Sequence, residues 1–493
     1  MTLRFYDTAT AEVRDFAPLV EGKASLYYCG ATVQSEPHIG HLRSALVFDQ
    51  LTRWLQFRGF QTTVVRNVTD IDDKILAKAA EAGEEWWARA YKYEQQFNAA
   101  YDKLGITRPD YEPRATGNIS EMHSLIQDLI DRGHAYPAPD GSGDVYFDVR
   151  SWGKYGSLTH QNIDDMQAAA DADPRGKKDA RDFALWKGRK PEEPTTASWP
   201  SPWGAGRPGW HLECSAMVGK YLGDAFDIHG GGLDLRFPHH ENEMAQSQAA
   251  GRPFANFWMH NGLVAYQGEK MSKSIGNVIG PGELFAQASP RVVRYYLGQA
   301  HYRSVLDYSP ESLEEAAAAL ARIDGFLVNA GANVQRVEVE DSGHMYLPPA
   351  AKQGFGWFAY APLSDTPAAF VEAMDDDLNV PKALAVLHET VRAGNSAIAS
   401  SDLVELQKKF EAVLAMLDVL GLSSIATDQA ADNGSTHALE TLVQTRLQER
   451  QQARTEKNWA RSDEIRDELA EAGIKIEDSS NGATWSIERK QQR

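Results

Sequence analysis

The chain of 493 residues is 42% hydrophobic and 24% charged, the make-up of a globular protein with room for roughly two to four domains and several buried cores. Its two cysteines exclude a disulfide framework, and the lack of a charged-then-apolar leader or an apolar run of about 18 residues excludes secretion and membrane spanning, so a reducing cytoplasm is expected. The formal net charge of -19 excludes a generally basic, nucleic-acid-coating protein; a polyanion would have to meet a local basic patch.

In chain order, SLYYC (25 to 29) reads as a short strand, GATVQSEPHIGH as a loop, HLRSALVFDQLTRWLQFRG as an amphipathic helix ending at Gly59, and FQTTVVRNV as a second strand. These make a βαβ unit, which implies a parallel sheet whose ligands gather at the carboxyl ends of its strands. Cys29 and His38 fall at such an end. From about 115 to 205 the texture changes to a helix (ISEMHSLIQDLIDRG), a hairpin around PAPDGSGDVYFDV, a polar acidic run and the Pro- and Trp-rich SWPSPWGAGRPGW. Together they read as an insertion between halves of the sheet. Beyond residue 305 the pattern is helical: ESLEEAAAALARIDGFL, AFVEAMDDDLNVPKALAVLHETVRAGNSAI and LVELQKKFEAVLAMLDVLG. The stretch 331 to 366 shows little periodicity and is expected to be partly disordered, and SSIATDQAADNGSTH (423 to 437) reads as a linker before a small C-terminal unit.

The residues able to carry chemistry cluster. Cys29 stands just ahead of PHIGH, Cys214 lies in GWHLECSAM, and DIHGGGLDLRFPHHENE crowds together His229, His239, His240, Glu241 and Glu243. Zinc takes four ligands from thiolate, imidazole and carboxylate, so these segments could supply such a site. By residue type alone, two buried apolar cysteines are the commoner arrangement, and the spacings match no zinc finger. In His38-Ile39-Gly40-His41, two imidazoles at i and i+3 share the first turn of a helix, and the glycine leaves room for a flat ring against backbone. Helix N-terminal amides and imidazole donors suit a nucleotide phosphate, although four residues alone equally describe an ordinary helix start. In GEKMSKSIGN (268 to 277), Lys270 and Lys273 could swing onto a triphosphate as pyrophosphate leaves, or form a solvated turn.

Together, PHIGH and KMSKS resemble the two signatures of class I aminoacyl-tRNA synthetases, and the longer pattern resembles the cysteinyl-tRNA synthetase family. It is carried by YYCGATVQSEPHIGH, RNVTDIDDKI, DFALWKG, GRPGWHLECSAM, the DIHGGG to HHENE block, KMSKSIGN, AHYRS, MDDDLNVPKAL and the terminal ARTEKNWARSDEIRDEL with NGATW, over nearly the whole chain. The resemblance implies an α/β fold with a Rossmann-like catalytic domain over 1–115 and 205–265 and a connective insertion at 116–204. A KMSKS loop and stem-contact region follows at 266–310, then an α-helical anticodon-arm bundle at 311–422 and a small tRNA-binding unit at 438–493. It also implies one zinc ion on Cys29, Cys214, His239 and Glu243, with the substrate cysteine bound to the metal through its own sulfur. A soft ion prefers thiolate to the hydroxyl of serine, which a hydrophobic pocket would separate only weakly. Gly30, Thr32, Thr69, Trp210 and Asp234 fall at positions near the amino acid, Asp234 as partner of its ammonium. His38, Gly40, His41, Lys270 and Lys273 fall at the ATP site, with Mg2+ on the nucleotide, while His229 and His240 are left as structural.

The implied activity is ATP-dependent activation of L-cysteine and its transfer to the terminal ribose of a cysteine tRNA, by a monomer. Two alternatives stand beside it. The cysteine ligase of mycothiol biosynthesis resembles the same catalytic domain but joins cysteine to an amino sugar and lacks the anticodon-binding extension; a non-catalytic RNA-binding paralogue would keep the fold alone. Arg446, Arg450, Arg454, Lys457 and Arg461 recur at steps of 4, 4, 3 and 4, and on one continuous helix occupy an arc of roughly 80°, read here as a tRNA backbone contact in place of a solvated face. Trp459 and Trp485 are core or stacking residues.

Overall fold

The computed structural model describes residues 2–166, 176–266, 268–270, 278–341, 366–423, 433–479 and 482–487, in two compact units, 1–425 and 426–493. The first is built on four parallel strands, β1 (Lys23–Tyr28), β2 (Gln61–Arg66), β3 (Ala225–Gly232) and β4 (Phe254–Asn261), in the order β4-β3-β1-β2. Helix α1 (Ile39–Phe57) crosses from β1 to β2, as the βαβ reading expects, and starts two residues earlier because His38 itself caps it. Leu42, Leu46, Leu51, Trp54 and Leu55 of α1 are fully buried. So are charges: Asp49 accepts from Arg53 Nε (2.9 Å), from the Thr107 amide (2.9 Å) and from Arg294. The buried Arg43 guanidinium donates to the carbonyls of Gly262, Leu263, His301 and Ser304, at 2.6 to 3.3 Å, and so ties α1 to the chain beyond β4.

Across the expected insertion a second, antiparallel sheet pairs Ala135–Pro137, Val145–Phe147, Phe183–Gly188 and Gly206–Pro208, the last strand lying past residue 204; the first two strands are the expected hairpin. The chain then returns to the parallel sheet through α2 (Trp210–Tyr221), β3, and α3 (Glu241–Ala249) before β4.

Helices dominate beyond residue 310, with two departures from the sequence pattern. Helix α4 (Pro310–Asp341) runs through 331–341, where no periodicity is evident, since a formed helix extends at little cost without an apolar stripe; residues 342–365 lie outside the described ones. The helix expected across MDDDLNVPKAL is two, α5 (Ala368–Asp375) and α6 (Val380–Ser400). Asp377 and Leu378 break it at φ +58° and +50°, and the Asn379 side chain accepts from Lys382 N to start α6. The three aspartates dock this corner on the N-terminal segments and on the turn after residue 300: Asp375 pairs with Arg58, Asp376 with Arg4 at 2.6 Å, and Asp377 with Arg303, Tyr302 and the Tyr6 amide. Helix α7 (Leu403–Val419) completes this part.

The second unit comprises α8 (Asn433–Thr455), α9 (Trp459–Glu471) and a hairpin of β5 (Ile474–Ser479) and β6 (Gly482–Ile487) around Val443, Leu447, Ile465, Leu469 and Ile474. The expected linker is therefore helical from Asn433, and 424–432 lie outside the described residues. Trp485 packs on this core, whereas Trp459 is 59% exposed. The basic stripe is not one helix face. Helix α8 stops at Thr455, Lys457 turns the chain at φ +58°, and Asn458 caps α9 by accepting from Arg461 N. Arg450 is buried, and Arg446 and Arg461 each pair with Glu449 and Glu468. Among the described residues no helix is long and apolar enough to cross a membrane.

Candidate metal and nucleotide site

Strand β1 ends at Tyr28 and delivers Cys29 to the carboxyl edge of the sheet, where its amide donates to Gly230 O of the neighbouring β3 (3.0 Å). Gly30 follows against the Asn67 backbone, so close that a Cβ would lie 1.7 Å from Asn67 O. Helix α2 brings Cys214, and the turn Arg236–His240 with the start of α3 brings His239 and Glu243. One donor atom from each of Cys29, Cys214, His239 and Glu243 lies within 4.8 Å of the others. The two sulfurs are 3.7 Å apart, Cys29 Sγ is 3.4 Å from Glu243 Oε1, and His239 Nε2 is 3.6 Å from Cys214 Sγ and 2.9 Å from Glu243 Oε1. Glu241, in the same stretch of sequence, faces the insertion and accepts from the Gly156 and Thr159 amides.

Burial and then Cys214 push the Cys29 thiol well up. Against burial, hydrogen bonds from Cys29 and from His239 hold the Cys214 thiol below its ordinary value. Against burial again, Glu243 and Cys214 push His239 up to about 10, while His229 and His239 hold the Glu243 carboxyl well below the usual range. These pulls favour negative charge on Glu243, and on Cys214 in preference to Cys29, with protons retained on Cys29 and His239. A divalent cation displacing those protons matches this donor set.

Three further histidines surround the ligands: His229 and His240, which the sequence leaves as structural, and His211, which it does not single out. His211 Nδ1 lies 2.9 Å from His239 Nδ1, and burial keeps His211 neutral, able to accept from His239. His229 Nε2 lies 2.8 Å from Glu243 Oε2, and His240 Nε2 lies 3.3 Å from Cys29 Sγ. His240 Nδ1 meets His260 Nε2 at 2.8 Å, and His260 Nδ1 meets Thr8 Oγ1 at 2.8 Å. Cys29, His229, His240 and Glu243 form a second group of donors overlapping the first. One signal for this crowding is the run of glycines in DIHGGG: a Cβ on Gly230, Gly231 or Gly232 would strike Phe48, His240 or Asp234 respectively.

Of the expected amino-acid positions, Trp210 stacks on His239, and Thr32 and Thr69 are bridged as neighbouring extended segments. The Thr69 hydroxyl donates to Glu213 Oε2 at 2.9 Å, and Asp234 is exposed just beyond β3. At the start of α1, His38 Nδ1 accepts from Gly40 N (3.2 Å) and His41 Nδ1 accepts from His38 N (3.1 Å), with the rings stacked 3.6 Å apart. Both neutral rings therefore carry their proton on Nε2. The Ile39 amide donates to Ile279 O, which anchors α1 to the chain just past KMSKS. The Lys270 backbone pairs in a short strand with Ala265; its side chain and all of Lys273 lie outside the described residues.

Comparison with known proteins agrees in each part of the chain. Residues 15–318 match the family described as tRNA synthetases class I (C) catalytic domain, 369–424 the DALR domain, and 436–485 the Cysteinyl-tRNA ligase anticodon binding domain. Curated relatives named cysteine-tRNA ligase from Paenarthrobacter aurescens (strain TC1) and Pseudarthrobacter chlorophenolicus are each 66% identical over 502 positions, covering 99% of this chain and 100% of theirs. In fold, the chain is similar to Mycobacterium tuberculosis methionyl-tRNA synthetase in complex with methionyl-adenylate, with a TM-score of 0.54 and 18% identity over 81% of this chain and 90% of that one. A class I α/β catalytic fold, helical domains after it and whole-length relatives of one name place the chain in the cysteine-tRNA ligase family of class I aminoacyl-tRNA synthetases.

Proposed function

We propose that the enzyme activates L-cysteine with MgATP and transfers it to the terminal ribose of a cysteine tRNA, using one zinc ion on Cys29, Cys214, His239 and Glu243 to recognise the substrate thiol. The observation that carries this reading is the convergence of those four donors, within 4.8 Å of one another, on the strand edge that feeds α1. They include both thiols of the chain, whereas the overlapping group with His229 and His240 has one, so the first set is the softer and better suited to zinc. His211, His229 and His240 then orient ligands from behind.

When bound, zinc supplies a thiol-selective anchor: its preference for thiolate separates cysteine from serine where apolar contact would not. Gly30, Thr32, Thr69 and Trp210 line the amino acid and Asp234 accepts from its ammonium. The substrate carboxylate oxygen attacks the α-phosphorus of ATP, the bond to the β-phosphate oxygen breaks, and pyrophosphate leaves. A terminal ribose hydroxyl of the tRNA then attacks the carbonyl carbon and AMP leaves. His38 and His41 present Nε2–H donors to the α-phosphoryl oxygens, while Lys270 and Lys273 take the outer phosphates. Of the five basic C-terminal residues, Arg450 is buried and Arg446 and Arg461 are spent on glutamates. The tRNA contact therefore centres on Arg454, Lys457 and Trp459, the last two exposed, cations and an aromatic face that suit RNA.

Radiolabelled cysteine offered with ATP to the purified enzyme, alongside either tRNA or glucosaminyl inositol and with serine as control, tests this reading. Charging of tRNA with cysteine alone, lost together with zinc in Cys214→Ser, supports it. Attachment to the sugar, or no adenylate formation, overturns it.

A further inference from the structure

The structure assigns a positioning role to Asn67 and Glu213, two residues that the proposed chemistry does not use: through Thr69 they brace the peptide after one thiol ligand against the residue before the other. The inference rests on the metal reading above. Gly30 N donates to Asn67 Oδ1 (2.9 Å), Asn67 Nδ2 donates to Thr69 Oγ1 (3.3 Å), and Thr69 Oγ1 donates to Glu213 Oε2 (2.9 Å). Gly30 is bonded to Cys29 and Glu213 to Cys214, so three hydrogen bonds span the two sulfurs. Asn67, Thr69 and Glu213 are each at most 2% exposed.

The relay has only one direction. A backbone amide can only donate, so Asn67 must turn its oxygen to Gly30 and its nitrogen to Thr69; Thr69, accepting there, spends its single proton on Glu213. Backbone contacts hold the same register, with Thr69 N donating to Ala31 O and Val33 N to Thr69 O. A stability role alone does not account for Glu213. Its Oε1 is buried without a hydrogen-bond partner, a cost that an apolar residue of similar size would not incur. A fixed frame is what the ligands require: the two sulfurs now share a hydrogen bond at 3.7 Å, and once a metal displaces that proton the two thiolates repel except through the cation between them.

Three variants of the full-length enzyme test the brace: Asn67→Asp, which keeps the acceptor for Gly30 but cannot donate to Thr69; Glu213→Leu, which removes the last acceptor; and Glu213→Gln, which retains it. Zinc affinity is read by chelator competition, the sulfur geometry by thiolate-to-cobalt absorption of the Co2+-loaded protein, and substrate placement by separate KM values for cysteine and ATP. We expect Asn67→Asp and Glu213→Leu to lose about 10–100-fold in zinc affinity, with an altered cobalt spectrum and a raised KM for cysteine but not for ATP. Glu213→Gln stays close to the parent. Should Glu213→Leu fail to fold, the isosteric Asn67→Asp decides alone. Unchanged affinity and spectrum in Asn67→Asp, or Glu213→Gln behaving like Glu213→Leu, overturns the brace. A parent protein that takes up neither zinc nor cobalt overturns the metal reading beneath it, which is a separate result.

Discussion

Trp210 lies flat against His239, with ring centroids 4.2 Å apart and planes inclined by 17°, while the adjacent His211 meets the same imidazole through its Nδ1 at 2.9 Å. Two consecutive residues at the start of α2 thus set the tilt of one ligand, and Cys214 follows one turn later on the same helix. Trp210→Ala frees the ring and is expected to cost about 10–100-fold in metal affinity and activity, with Trp210→Phe retaining most of both. Chelator competition checks this; an alanine variant that binds zinc as tightly as the parent contradicts it.

Gly30 has no room for a side chain. A Cβ there would meet Asn67 O at 1.7 Å, and since that atom is backbone, the Cys29 segment must move instead. Gly30→Ala is expected to lower cysteine-dependent pyrophosphate exchange by about 100-fold, the order of loss for a displacement of about 1 Å at a reacting site. Parent-like exchange in this variant would mean that the strand end is softer than the packing implies.

Asp49, Arg53 and Arg294 form a buried triad between α1 and the helix Pro290–Gly298. Removing the carboxylate in Asp49→Asn leaves two guanidinium groups without their counter-charge and is expected to cost about 3–5 kcal/mol in urea unfolding at neutral pH. Burial acts to raise the Asp49 carboxyl, but Arg53 and Arg294 hold it well below the usual carboxylate range. A group depressed in the folded state contributes stability above its unfolded value, near about 4, and loses it as pH falls from there toward the folded value. The gap between parent and variant should therefore close below about pH 4. A gap that ignores pH contradicts the assignment.

Lys457 stands exposed at the turn between α8 and α9. Lys457→Ala is expected to weaken tRNA binding and to reduce the slope of log affinity against log salt by about 1, the signature of one lost phosphate contact. An unchanged slope moves the contact elsewhere on the unit.

The parallel core was legible because its signals are local: β1, α1 and β2 announce themselves by period and by the PHIGH loop. The four candidate ligands were legible through motif resemblance, and the structure brings all four together. What stayed hidden depends on partners far apart in the chain. His211, His229 and His240 acquire their places from contacts with His239, Glu243 and Cys29, and Asn67 meets Glu213 only through Thr69. The C-terminal stripe misled because helical spacing assumes a continuous helix. Asn458 is a good cap, and the chain used it to start a new one.

The central claim is that a metal on Cys29, Cys214, His239 and Glu243 reads the substrate thiol, and ATP–pyrophosphate exchange tests it most directly. The parent enzyme is assayed with cysteine and with serine, before and after zinc is stripped and then restored. Exchange with cysteine alone, abolished by stripping and recovered with zinc, is the predicted result. Metal-free enzyme that still activates cysteine and still rejects serine would contradict the account.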